Sequence, residues 1–152
     1  MSIVEQGRRE PMVGDPDDHR PNTLWRLVVD PGDDAGRVDG LALIDEEMAV
    51  GDRIPLHTHP VDELVAILDG DGEYRLGSRS QRVTGGSIVF VPAGTPHGTA
   101  NVGNRPLRLY GVFPTTVVEI AMLERNPAPG TEGEDPRRTR YDFRTGEFEV
   151  LE

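Results

Sequence analysis

The sequence contains no cysteine and no lysine, and both absences limit the chemistry that it can perform. Without a thiol, the protein cannot use a cysteine nucleophile. Without a lysine, it can neither form a Schiff base nor use a lysine amine as a general base. Chemistry at a metal ion is the main catalytic route that these absences leave open.

Positive charge and long apolar runs are also scarce. The formal net charge is −11, with 27 acidic residues against 16 basic ones, which argues against nucleic acids and anionic membrane surfaces as partners. No apolar run approaches the roughly 20 residues of a membrane-spanning helix. The N-terminal residues lack the apolar centre of a secretory signal. We therefore expect a cytoplasmic protein that binds neither nucleic acid nor membranes.

Turn-forming residues are abundant. The 152 residues suit one domain with a real core, and 18 glycines and 13 prolines favour short strands over helices. Residues 38–48 fit a strand or a short helix, and their turn-rich neighbours favour the strand. With that segment included, nine strands are predicted: 23–30, 38–48, 53–59, 63–68, 73–76, 81–84, 88–91, 97–102 and 106–113. Such regularly spaced short strands are typical of an all-β sandwich or barrel.

The ends of the chain differ from its centre. Residues 1–22 are polar and are predicted to form a flexible arm that is partly disordered or lies on a partner subunit, with His19 exposed to solvent. The barrel is predicted to occupy 23–126, although the pattern of 114–126 fits a strand and an amphipathic helix equally well. Residues 127–152 form a linker and a tail that packs on the barrel. The tail either closes a hairpin around Thr145-Gly146 or adds one strand.

One short stretch combines the residues that bind metals. Side chains two apart on a strand point to the same face, so His57 and His59 direct their imidazoles towards one point. Pro60 interrupts the strand, and the returning chain brings Glu63 alongside the two histidines. Two imidazoles and a carboxylate form a site for a borderline divalent ion. The fourth predicted ligand is His97, which follows a Pro/Gly turn.

The spacing of these residues resembles the paired motifs of the cupin superfamily. The first motif is matched by five residues, Gly51, His57, His59, Glu63 and Gly70. The second is matched by another five, Gly86, Pro92, Gly94, His97 and Asn101. The resemblance covers residues 51–101, about a third of the chain. It implies a single-domain jelly-roll barrel, also called a double-stranded β-helix, and a homodimer.

The resemblance also implies a cofactor and a reaction. One divalent transition-metal ion (Fe, Mn, Ni, Cu or Zn) held by three histidines and Glu63 keeps two positions open for a small organic substrate and O₂. In quercetinase-like cupins the matching glutamate is thought to act as a base as well, which implies a catalytic role for Glu63. We therefore predict a dioxygenase-type oxidation. A Lewis-acid lyase, isomerase or cyclase, and a non-catalytic protein that binds a metal or ligand, remain alternatives.

Strand alternation supplies candidates for the substrate pocket. Arg53 shares the face of His57, and Thr99 shares the face of His97. Two residues share the face of Glu63, namely Val65 and Ile67. Three aromatic residues are placed near the barrel mouth: Tyr74, Tyr110 and Phe113. A largely apolar pocket around one metal ion suits a small, uncharged or enolic molecule.

Overall fold

The computed structural model of the chain describes residues 2–5, 7–33 and 35–151. This part of the chain contains thirteen β-strands and no helix, and therefore no helix that could cross a membrane. In chain order the strands are β1 (Glu10–Met12), β2 (Arg20–Val29), β3 (Ala42–Met48), β4 (Arg53–Thr58), β5 (Glu63–Asp69), β6 (Asp71–Leu76), β7 (Arg79–Thr84), β8 (Ile88–Val91), β9 (His97–Asn101), β10 (Leu107–Phe113), β11 (Val117–Met122), β12 (Arg138–Asp142) and β13 (Phe148–Leu151). The all-β prediction is confirmed.

The strands form two antiparallel sheets. One sheet has the order β1-β2-β3-β10-β5-β8, and the other has the order β13-β12-β11-β4-β9-β6-β7. Their inner faces share one buried apolar cluster, to which β3, β5, β8 and β10 of the first sheet and β6 and β7 of the second contribute. Its buried members are Met48, Val65, Ile67, Tyr74, Val83, Val91, Leu107 and Leu109. A second buried cluster comprises Ala42, Phe113, Val118 and Phe143. Two antiparallel sheets packed face to face in this way form a jelly roll.

The strand predictions agree with the structure. Each of the nine predicted segments overlaps a strand, and the ambiguous residues 114–126 contain β11. The C-terminal tail forms the hairpin β12–β13 around Thr145 and Gly146, which was one of its two predicted forms. Gly146 has a φ of 73°, a left-handed conformation that glycine adopts without steric cost.

The N-terminal segment differs from a free arm, because its residues from Glu10 onward pack on the barrel. Strand β1 pairs with β2, and His19 is half-buried and donates its backbone N–H to the carbonyl of Asn126 at 2.9 Å. The physical reason is Asp17, whose fully buried carboxylate accepts hydrogen bonds from Arg125 Nε at 2.6 Å and Arg137 Nη1 at 2.9 Å. The buried charge of Asp17 is therefore paired within the chain. The boundary at residue 22 stays a prediction.

Asp17→Ala tests how strongly this ion-pair cluster holds the two ends of the chain together. The substitution leaves the Arg125 guanidinium, whose side chain is 7% exposed, without its carboxylate partner. We expect the free energy of unfolding to fall by about 3–5 kcal/mol, measured by urea denaturation. Asp135→Ala, at an exposed position, is the control and should change it by less than about 0.5 kcal/mol. Equal effects of the two substitutions would contradict this account.

Candidate metal centre

Adjacent strands of the second sheet place two histidines opposite each other. His57 of β4 pairs with His97 of β9, and the register between these strands shifts between Ile54 and His57. Pro55 lies in that irregularity, where a residue without an N–H costs the sheet no ladder bond. The third histidine, His59, follows the end of β4, and the Gly94 N–H donates to its carbonyl at 2.8 Å. The three rings therefore meet at one end of the barrel.

Each ring is oriented by a hydrogen bond to a backbone carbonyl two residues away. The Nδ1 atom of His57 lies 2.8 Å from Pro55 O, that of His59 lies 2.7 Å from Val61 O, and that of His97 lies 2.8 Å from Thr95 O. A carbonyl oxygen only accepts hydrogen bonds, so each Nδ1 carries the proton. With Nδ1 bonded in this way, Nε2 is the ring atom left to bind a metal ion, which is the arrangement that metal-binding histidines adopt.

These nitrogen atoms converge with the carboxylate of Glu63. The Nε2 atoms of His59 and His97 lie 3.1 Å apart, and Glu63 Oε2 lies 3.1 Å from each of them. One ligand nitrogen from each of His57, His59 and His97 falls within 4.8 Å of the other two. Several acceptors this close repel one another unless a proton or a cation lies among them. The donor set therefore fits a transition-metal ion.

The protonation states of the site also suit a cation. Burial, together with the neighbouring His97, lowers the pKa of His57 to about 4, so His57 is neutral at pH 7. Burial by itself would raise the pKa of Glu63, but the contacts with His59 and His97 outweigh it and bring this pKa to about 2. At neutral pH the site combines a neutral imidazole at His57 with one buried negative charge at Glu63. Binding a cation there compensates the charge.

Gly111 of β10 leaves room for the Glu63 carboxylate, a role that sequence reasoning missed. A Cβ atom at position 111 would lie 2.6 Å from Glu63 Oε1, closer than such atoms approach in proteins. Phe113, two residues further along the same strand, packs its ring edge-on against His59 with 5.3 Å between the ring centroids. Strand β10 therefore supports the site from the opposite sheet.

An apolar cavity of about 90 Å³ adjoins the site at His57. Its walls are mainly aromatic and aliphatic side chains: Trp25, Leu27, Ile44, Ile54, Leu109, Phe113, Ile120, Met122 and Phe143. Polar groups also line it, and they comprise Asp15, Asp18, Arg20, Glu46 and Tyr141. A mainly apolar lining with a few polar groups is typical of sites for small organic molecules.

Only one of the seven pocket candidates lines this cavity, namely Phe113. Val65, Ile67 and Tyr74 belong to the hydrophobic core. Arg53 is exposed and bonds to Glu124 Oε2 at 3.0 Å, because the irregularity at Pro55 interrupts the alternation on which its assignment relied. Two other residues lie outside the cavity lining, the buried Thr99 and the half-buried Tyr110.

Several lining residues carried no signal for a pocket in the sequence. Trp25 and Leu27 alternate on β2, which marks one face of a strand without saying what it covers. Asp15 and Tyr141 meet across 126 positions of the chain, from segments that were assigned to an arm and a tail. A contact at that separation depends on the complete topology of the barrel.

Comparisons with known proteins agree with this geometry. A family model described as a cupin domain matches residues 44–113, which contain all three clustered histidines and Glu63. The chain is 30% identical over 95 residues to the uncharacterized protein YrkC of Bacillus subtilis, an alignment covering 58% of this chain and 51% of YrkC. The chain spans about half the length of the first curated relatives that it matches, or slightly more.

Two solved structures with named activities are similar as well. The polyketide cyclase RemF from Streptomyces resistomycificus superposes with a TM-score of 0.61 and 25% identity, covering 84% of this chain and 82% of RemF. The dimethylsulfoniopropionate (DMSP) lyase DddQ from Ruegeria pomeroyi superposes with a TM-score of 0.53 and 26% identity, covering 76% of this chain and 55% of the lyase. The fold and the site define a jelly-roll barrel with a histidine cluster of metal-binding type. Residues 44–113 are identified as a cupin domain, and the chain has the fold of cupin proteins.

Removing a ring from the cluster tests the predicted ligands. We expect His57→Ala and His97→Ala to lose at least about 100-fold in affinity for Zn²⁺ or Ni²⁺ while the strands persist, because each removes one donor from a set held by the barrel. Metal content is measured by elemental analysis, and folding by circular dichroism. His19→Ala is the control, since this fourth histidine lies outside the cluster. Stoichiometric metal in either site variant would show that the ligand assignment is wrong.

Gly111→Ala tests the room that β10 leaves for Glu63. The added methyl group must displace the carboxylate, since the atom in its way is the end of a side chain and not backbone. We expect metal affinity to fall about tenfold or more with the fold retained, measured by isothermal titration calorimetry. Gly133→Ala, where an added Cβ meets nothing within 4 Å, is the matched control. Unchanged affinity in Gly111→Ala would argue against Glu63 as a ligand.

Proposed function

We propose that the protein is a metal-dependent enzyme that acts on a small organic molecule in the cavity, with the ion held by His57, His59, Glu63 and His97. The observation that carries this proposal is the convergence of two Nε2 lone pairs and one carboxylate oxygen at 3.1 Å, next to an apolar cavity that His57 lines. A divalent ion bound there supplies a Lewis acid that polarises a substrate oxygen or acidifies a hydroxyl.

The residues of the chain perform the remaining tasks. The Nδ1–H bonds to backbone carbonyls hold the imidazoles in the binding orientation without reorganisation. The aromatic walls, which include Trp25 and Phe113, exclude water and bind an apolar or aromatic substrate body. Glu63 supplies the negative charge. Its role as a catalytic base stays a prediction, and a pKa of about 2 favours the ligand role, because efficient bases have a pKa near the working pH.

Within this proposal we favour a reaction without net oxidation, such as a lyase, isomerase or cyclase reaction. Two similar solved structures with at least 25% identity are named as a polyketide cyclase and a DMSP lyase. The cavity of this chain also contains ionisable groups, among them Asp15 and Tyr141, which provide hydrogen bonds that a bare apolar pocket lacks. The mainly apolar walls suit flat phenolic or enolic substrates.

Dioxygenase-type oxidation is the second candidate. His57, His59, Glu63 and His97 would hold a redox-active ion without completing its coordination, and such an ion would supply chemistry with O₂ beside the cavity. The apolar walls favour it as well, since a cavity with little water protects reactive species from side reactions. In both candidate functions the substrate is a small molecule. The homodimer that the family resemblance implies stays a prediction, which light scattering can test.

Oxygen dependence separates the two candidates. Protein purified without added metal or chelator is analysed for its elements, loaded with that metal and incubated with phenolic and enolic compounds with and without O₂. We expect product formation that needs the metal, continues without O₂ and falls at least about 100-fold in His97→Ala but not in His19→Ala. Turnover coupled to equimolar O₂ uptake would assign the dioxygenase reaction. Metal-dependent binding without turnover would assign a non-catalytic role.

A further inference from the structure

Two cavity residues outside the histidine cluster, one near each end of the chain, contact each other. The Tyr141 hydroxyl donates a hydrogen bond to Asp15 Oδ2, and both side chains line the cavity. In the sheet, Tyr141 of β12 faces Val118 of β11, whereas His57 of β4 faces Met122 of β11. The two positions are thus four residues and two strands apart, or about 14 Å along the strands and about 10 Å across them.

The pair is buried but retains capacity for a further hydrogen bond. Asp15 is 6% exposed, and its Oδ1 accepts the backbone N–H of Asp17 at 2.8 Å. A carboxylate accepts about four hydrogen bonds and a phenol oxygen accepts one or two beside the bond that it donates, so the contacts of the pair leave acceptors available. Burial raises the pKa of Asp15 and of Tyr141, which keeps the phenol protonated.

The charges around the pair disfavour anions. Arg20 is the one basic residue among the described residues that line this cavity, and it is already bound at 2.7 Å by Asp18 and also by Glu46. Together with Asp15, three carboxylic acids therefore face one arginine. A ligand group that donates a hydrogen bond is stabilised here, and a carboxylate group on the ligand is repelled.

We propose that Asp15 and Tyr141 form a second polar subsite, which binds a hydroxyl group of a substrate whose other end is held at the metal centre. The substrate class is then an elongated, mainly aromatic molecule with metal-binding oxygen atoms at one end and a hydrogen-bond donor at the other. The aromatic side chains of Trp25, Phe113 and Phe143 contact its apolar middle. The assignment deepens the proposed function and depends on it.

A purely structural role for the pair predicts a different result. The same hydrogen bond joins the N-terminal segment to β12, so its loss lowers stability in either case. If the pair forms a subsite, the affinity for a ligand also depends on whether the end of the ligand far from the metal carries a hydroxyl group. The ratio of affinities for two ligands that differ in that group is therefore the informative quantity, because a change in stability affects both ligands equally.

The test uses zinc-loaded protein and two catechols, since zinc does not oxidise them. The probes are 4-phenylcatechol and 4-(4-hydroxyphenyl)catechol, and Kd is measured by isothermal titration calorimetry. We expect the distal hydroxyl to tighten binding about tenfold, as a buried hydrogen bond to an ionisable pair does. In Tyr141→Phe, whose ring can still stack on Phe148, the ratio should fall below about threefold. Asp15→Asn should lower the ratio as well.

Tyr110→Phe is the matched control, because this half-buried tyrosine lies outside the cavity lining and its variant should retain the tenfold ratio. A third catechol tests the charge of the subsite in the parent protein, without any substitution. There, 4-(4-carboxyphenyl)catechol should bind at least about tenfold more weakly than the hydroxyphenyl compound, since the carboxylate meets the acidic groups.

The outcomes separate the two levels of the proposal. If neither catechol binds the zinc-loaded parent, or if both bind His97→Ala equally well, the proposed function is overturned and the subsite with it. If binding requires the metal but the distal hydroxyl gives no advantage, the subsite alone is overturned. A tenfold ratio that persists in Tyr141→Phe, or tight binding of the carboxylate compound, likewise overturns the subsite and leaves the proposed function intact.

Discussion

The site depends on three short hydrogen bonds between imidazole Nδ1 atoms and backbone carbonyls. Each joins a histidine to a carbonyl two residues away in the chain, at Pro55, Val61 and Thr95. Because the carbonyl fixes which nitrogen carries the proton, the other nitrogen of every ring presents a lone pair. The same local bonds hold the rings in position before any ligand arrives. The barrel fixes the positions of these backbone carbonyls, and the carbonyls determine which nitrogen of each imidazole carries the proton.

Three prolines and one glycine determine the backbone conformation around the site. Pro55 lies in the irregularity that precedes His57, Pro60 follows His59, and Pro96 precedes His97. Proline has no N–H to donate, so each occurs where strand pairing is interrupted and a carbonyl can turn towards a side chain. Gly111 on β10, the strand that pairs with the Glu63 strand β5, leaves the space that the Glu63 carboxylate occupies. The geometry of the site thus depends on a few positions, three prolines and one glycine, where the backbone departs from regular strand pairing or lacks a side chain.

The sequence predicts the centre well because its determinants are local. His57, His59 and Glu63 lie within seven residues, and the Pro/Gly turn before His97 defines how the last ring enters the site. Strand positions are predictable for the same reason, since alternation and turn residues act over short distances. The residues that line the cavity, in contrast, are far apart in the sequence. Arg53 was assigned to it by an alternation that the irregularity at Pro55 interrupts, and Asp15 is placed there by a partner 126 residues away.

The N-terminal and C-terminal segments contribute walls to the cavity that adjoins the histidine cluster of the central strands. The residues that match the cupin family contain the histidine cluster, whereas Asp15 and Tyr141 lie outside that range. Arg125 stabilises this outer part, since it donates to the carboxylate of Asp17 at 2.6 Å and to the carbonyl of Glu134 at 2.8 Å. A buried arginine is costly unless each donor is paired, so these bonds fix the terminal segments against each other. The family match therefore contains the histidine cluster, whereas part of the cavity wall beside it comes from segments outside that match.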